Sequence, residues 1–102
     1  MKLQYRQGDV LLIAMDELPS DAVLQENQGR IVLAYGEVTG HAHAISTEYA
    51  DAFVSGEQML LLVDEGANLV HEEHGPIRIK KGIYRVVRQR EYDPSFERMV
   101  AD

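Results

Sequence analysis

Turn signals recur about every eight to twelve residues along this chain, and no apolar pattern between them keeps a helical period over ten or more residues. The breaks are Gln7-Gly8, Leu18-Pro19-Ser20-Asp21, Asn27-Gln28-Gly29, Thr39-Gly40, Ser55-Gly56, Glu65-Gly66, Gly75-Pro76 and Lys81-Gly82. Glycine reaches positive φ at low cost, and Pro, Asn and Asp preset turn geometry. Between the breaks lie short runs rich in Val, Ile, Leu and Tyr, which predict strands over residues 2–5, 9–15, 30–35, 41–45, 58–63, 67–71 and 83–92. Such spacing predicts an all-β chain, a small single-domain β-barrel or sandwich with little or no helix.

Two stretches depart from that pattern. Residues 46–52 read as a helical turn capped by Ser46 or Thr47. Residues 18–28 read as a surface loop that could hold a short helical turn over 20–24. With 102 residues the chain has room for one core. Residues 1–94 are expected to form the barrel domain, and residues 95–102 a tail that frays or docks on a partner chain through Phe96, Met99 and Val100. With no Trp, the core depends on aliphatic side chains, so added stability from a metal or from homo-oligomerisation is in keeping with its size.

The absence of cysteine excludes disulfides, thiolate metal sites and cysteine nucleophiles. Any metal must be held by His, Asp or Glu. A net charge of −7 disfavours sequence-independent binding to nucleic-acid backbones. The charge is unevenly spread, however. Residues 78–90 carry six basic residues and no acid, while residues 1–77 carry three basic and thirteen acidic ones. Arg85 and Arg88 are the candidate anion contacts in that basic segment, although strand alternation places them on opposite faces. The longest apolar run is too short for a signal peptide or a membrane span, so a soluble, cytoplasmic protein is expected.

All four histidines fall in two tight pairs, in Gly40-His41-Ala42-His43-Ala44 and Val70-His71-Glu72-Glu73-His74-Gly75. On a strand, His41 and His43 share a face, a spacing that suits two ligands of one metal. His71 and His74 would take opposite faces of a regular strand; a turn over 72–76, as Gly75-Pro76 suggests, would let both converge. Glu72 and Glu73 offer a further ligand, an acceptor for an imidazole N–H, or a general base. Against this stands the reading of both pairs as a half-exposed strand face and a solvated turn, or as a pH-sensitive cluster without metal.

The stretch from Gly36 to Gly56 resembles the first cupin motif: Gly36, four residues, His41-Ala42-His43, four residues, Glu48, seven residues, Gly56. Two of these spacers differ by one from the family's pattern. The resemblance implies a small β-barrel with a metal near its mouth, held by His41, His43, Glu48 and a further His from a later strand. The second cupin motif departs, with Lys80 at its Pro position and Arg85 at its His position, so the remaining ligand would be His71 or His74. The segments Met1-Lys2-Leu3, 8–13 and 29–33 resemble, more faintly, the opening of the small co-chaperonin barrel.

No serine has a nucleophile-elbow context, and the glycines form no phosphate loop or dinucleotide fingerprint. The functional expectation is a histidine-rich divalent-metal site (Zn, Fe, Mn or Ni), whether or not the protein is an enzyme acting on a small molecule. The alternative is a non-catalytic binding or assembly module that engages a protein or nucleic-acid partner through residues 78–90.

Overall fold

The computed structural model describes residues 3–35, 41–72 and 74–88. Gly36 of the motif above, Glu73, the continuation of the last strand over 89–92 and the tail lie outside the described residues. Ten strands lie among the described residues: β1 (Gln4–Gln7), β2 (Val10–Met15), β3 (Val23–Gln25), β4 (Arg30–Tyr35), β5 (Ala42–Ser46), β6 (Ala50–Ser55), β7 (Gln58–Val63), β8 (Ala67–Leu69), β9 (Ile77–Ile79) and β10 (Gly82–Arg88). Among the described residues there is no helix. The chain is all-β, as its turn spacing predicts.

Six strands make one antiparallel sheet in the order β1-β2-β10-β7-β6-β3, and two ribbons, β4-β5 and β8-β9, complete the fold. Among the described residues the six-stranded sheet ends at β1 and β3 without closing on itself. One apolar core runs between the sheet and the ribbons. Val10, Leu12, Leu61, Val63, Tyr84 and Val86 come from the sheet, and Ile31, Leu33, Ile45, Leu69 and Ile79 from the ribbons. Alternation produces this division: on β10, Tyr84 and Val86 are buried while Arg85 and Val87 take the other face.

Of the two departures from the strand pattern, residues 18–28 form the expected loop except for β3, which replaces the helical turn, and residues 46–52 hold no helical turn. Residues 46–52 make a tight turn, in which the Tyr49 amide donates to the Ser46 carbonyl, and then enter β6. A seven-residue helix cannot offset its nucleation cost, whereas β6 pairs along its whole length with β7. β3 escapes a hydrophobicity reading because all three of its residues are exposed; its ladder to β6 holds it at the sheet edge. The basic segment is also divided. Arg78 lies on β9, Lys80 and Lys81 lie between strands, and Arg85 and Arg88 lie on β10.

A polar clasp joins that connection to the core. Tyr84 donates to the Lys80 carbonyl at 2.7 Å and the Lys80 amide donates to the Tyr5 hydroxyl at 3.1 Å. The two rings meet edge to face at 5.8 Å. Burial and the neighbouring Tyr5 push the Tyr84 hydroxyl up to about 12.

Candidate functional site

The four histidines are brought together by one short antiparallel contact between β5 and the chain leaving β8. Ala44 and Val70 exchange both backbone hydrogen bonds, each 2.9 Å long. The next pair outward is therefore His43 opposite His71, a non-hydrogen-bonded position where side chains approach most closely. Their ring centroids are 4.3 Å apart. By strand alternation, His43 continues the inward row that contains Ile45, and His71 continues the row that contains Leu69. One end of the apolar core thus changes from aliphatic side chains to imidazoles.

One step further, the ladder is replaced by a side chain: the Ala42 amide donates to Glu72 Oε1 at 2.7 Å. The chain leaves the strand here, and His74 is turned back onto the cluster. His71 lies 4.8 Å from His74 and 5.7 Å from His41 between ring centroids, and His43 lies 5.7 Å from His74. His71 therefore neighbours all three other rings. The turn needed to converge His71 and His74 is present.

Gln7, at the end of β1, fixes the orientation of His43. Its amide nitrogen donates to the carbonyls of Leu69 (3.0 Å) and Gly75 (2.9 Å), groups that can only accept. Its Oε1 must then accept from His43 Nδ1–H at 2.9 Å, which leaves the lone pair on His43 Nε2. His43 is 4% exposed. Burial, reinforced by the neighbouring His71 and His74, lowers its pKa to about 4, against the opposing pull of Asp9 and Glu72. His43 is neutral at physiological pH. Gln7 gives no motif signal; only the fold reveals it, because it lies far in sequence from every group it binds.

Gly8 lets the β1–β2 turn pass close beneath the rings. Its φ is +56°, and a Cβ there would stand 2.8 Å from His74 Nε2 and 3.2 Å from His43 Cε1. Among the described residues, no group of three or more His, Asp or Glu side chains already presents its donors as a metal cage. The rings are adjacent at interplanar angles between 21° and 84°.

The remaining expected site residues are placed less uniformly. Glu48 is exposed in the turn beyond the far end of β5, with its amide bonded to Ser46 Oγ. Arg85 lies on the face of β10 away from the core. Arg88 lies on the inner side, where Nε donates to the Leu33 carbonyl at 2.6 Å and Nη2 approaches Met59 Sδ at 3.6 Å. The β4–β5 register shifts between Val32 and Ala34, a bulge that leaves Leu33 outside the ladder and available to Arg88. A cavity of about 290 Å³ opens beside His43, with Asp9 and Arg88 as its charged lining and Val32, Ala34 and Tyr35 as its apolar lining.

No described helix is long and apolar enough to cross a membrane. The chain matches the family model of DUF8820, a domain of unknown function, over residues 6–89, and it belongs to that family. The matched span contains Gln7, all four histidines and Arg88. Comparison with curated proteins found no match, nor did comparison with solved structures.

Proposed function

We propose that this DUF8820 domain binds one divalent transition metal through His43, His71 and His74, with His41 as a fourth donor. The observation that carries the reading is the spacing of the rings. For a zinc–nitrogen bond of about 2.0–2.1 Å the metal lies about 3.2 Å from each ring centroid, so two imidazole ligands have centroids about 4.5 Å apart at a right angle and about 5.2 Å apart at a tetrahedral one. The four measured separations run from 4.3 to 5.7 Å. Bringing the nitrogens onto a shared ion then requires ring rotation more than backbone movement.

The environment of His43 supports the same reading. A ligating imidazole must be neutral, with its other nitrogen held by an outer partner, and Gln7 supplies that partner. An imidazole-rich donor set suits Zn, Fe or Ni better than Mn, which favours oxygen. Glu72 has one carboxylate oxygen engaged by Ala42 N–H. It acts here as an organiser of the loop. Glu48 is not needed in this donor set, which distinguishes the site from the one that the cupin resemblance implies.

Elemental analysis of untagged protein, repeated on His43→Ala/His71→Ala, tests the reading. The expected result is about one equivalent of metal per chain, lost in the double variant, with thermal stabilisation on adding zinc to metal-free protein. Absence of bound metal together with no stabilisation by Zn, Fe, Mn or Ni would refute it.

A further inference from the structure

We infer that the outer face of the six-stranded sheet is the contact surface of a two-fold symmetric dimer, in which a second copy of this chain packs its own outer face against it and Arg85 of each copy meets Asp51 of the other. The histidine cluster lies on the inner side of the sheet, so this inference is independent of the metal reading.

The ladder registers define the face. All four described strands outside the sheet contribute to the core on its inner side. Ile13, Arg85, Leu60, Phe53 and Leu24 are successive cross-strand partners from β2 to β3, and strand alternation turns this row outward. Met15, Ile83, Leu62 and Asp51 form the next outward row, and Leu11 and Val87 the one on the other side. All of these positions except Arg85 and Asp51 are apolar.

An antiparallel sheet with one solvated face normally turns polar side chains towards water. Here the strands Val10-Leu11-Leu12-Ile13-Ala14-Met15 and Met59-Leu60-Leu61-Leu62-Val63 are apolar on both faces, although every described strand that could cover them lies on one side only. Leu60, flanked in its row by Arg85 and Phe53, is buried within the single chain, Leu24 is exposed, and the other apolar members are half-buried. The patch crosses five strands, about 19 Å at the usual strand spacing. Its flat, pleated shape suits a second sheet.

Charge identifies that second sheet as a copy of this one. Arg85 is half-buried amid apolar neighbours, Asp51 is exposed, and among the described residues neither forms an ion pair. They stand two strands and one row apart, about 12 Å within one sheet, too far to pair with each other. A two-fold axis lying between two facing sheets and passing beside Leu60 and Leu62 exchanges the two positions. Each Arg85 then faces a carboxylate across the sheet-to-sheet gap of about 10 Å, which the two side chains span together. Such self-complementarity is what an isologous interface requires. Apolar area alone would suit many partners; opposite charges placed on either side of β7 suit a second copy.

Sedimentation equilibrium of the full chain, in EDTA to exclude association through a shared metal, tests the proposal at concentrations up to about 100 μM. The expected species has twice the chain mass. Leu62→Lys should weaken the dimer at least about tenfold, with secondary structure retained by circular dichroism. Asp51→Arg and Arg85→Asp should each weaken it at least about tenfold by setting like charges opposite one another, and the double variant Asp51→Arg/Arg85→Asp should restore it. That rescue reports contact between chains, because the two residues do not meet within one. If Leu62→Lys does not fold, Asp51→Arg, at an exposed position, still provides the comparison. A chain that remains monomeric throughout this range, a dimer unaffected by Asp51→Arg, or a double variant no better than the single ones would each overturn the proposal; a monomer that instead forms a complex with a different protein through this face would also do so.

Discussion

Gln7 and His43 lie 36 positions apart in sequence and meet through a 2.9 Å hydrogen bond between Gln7 Oε1 and His43 Nδ1. The same glutamine holds the Leu69 and Gly75 carbonyls, on either side of His71 and His74. One buried side chain therefore connects β1, β5 and the loop after β8. The site is assembled by it as much as by the histidines.

Gln7→Leu retains comparable bulk and removes all three hydrogen bonds, leaving two carbonyls and an imidazole N–H without this partner. The expected cost is about 2–4 kcal/mol of folding stability, measured by urea denaturation. Zinc affinity should fall about 10–100-fold, as is usual when the outer partner of a histidine ligand is lost. Preserved affinity would show that Gln7 serves stability alone.

Gly8 and Gly56 separate backbone strain from crowding. Both have positive φ, +56° and +61°, but a Cβ at Gly56 meets nothing within 4 Å, whereas one at Gly8 meets His74 and His43. Gly56→Ala should cost about 1 kcal/mol, the conformational term alone. Gly8→Ala should cost more and should also reduce metal affinity, because His74 must move. Thermal melts with and without zinc distinguish the two.

The pH dependence follows from His43. Its pKa is about 4 in the folded chain against 6.5 as the ordinary value. Protonation therefore favours the unfolded state across that window. The contribution to stability is fully present above pH 6.5, is lost as pH falls towards 4, and changes no further below that. Metal-free protein should show this decline in its urea midpoint, and His43→Leu should flatten it. A midpoint that rises as pH falls from 6.5 to 4 in the wild type and not in the variant would contradict the assignment.

Tyr84→Phe acts away from the site. It removes the hydrogen bond to the Lys80 carbonyl while retaining the ring against Tyr5, at an expected cost of about 1 kcal/mol. Zinc binding should be unchanged. In the wild type, spectrophotometric titration should show one tyrosine ionising late, near 12.

The sequence foretold the architecture where local chemistry controls it. Residues 30–35 and 58–63 are short, nearly continuous apolar runs between turn signals, and β4 and β7 occupy those positions. The strand reading failed where pairing overrides composition. β3 is a three-residue strand with exposed side chains inside a polar stretch, yet it pairs with β6, and the Ser46–Ala52 stretch looks helical only until β7 pairs with its second half. At the site, the side-by-side placement of His41 and His43 follows from a two-residue period. The position of His71 opposite His43 depends on the single bridge between Ala44 and Val70, which no local pattern encodes. Gln7 was hidden for the same reason, and so were the partners of Arg88, although Arg88 itself and its face of the strand were legible: the groups both residues bind are distant in sequence.

X-ray absorption spectroscopy at the zinc edge of metal-loaded protein tests the central claim most directly, because it counts imidazole neighbours around the ion. A first shell at about 2.0–2.1 Å containing three or four nitrogen donors, with the outer scattering of imidazole rings and the loss of one ring in His71→Ala, is the predicted result. A shell dominated by carboxylate or water oxygens with fewer than two imidazoles, unchanged in His71→Ala, would contradict it.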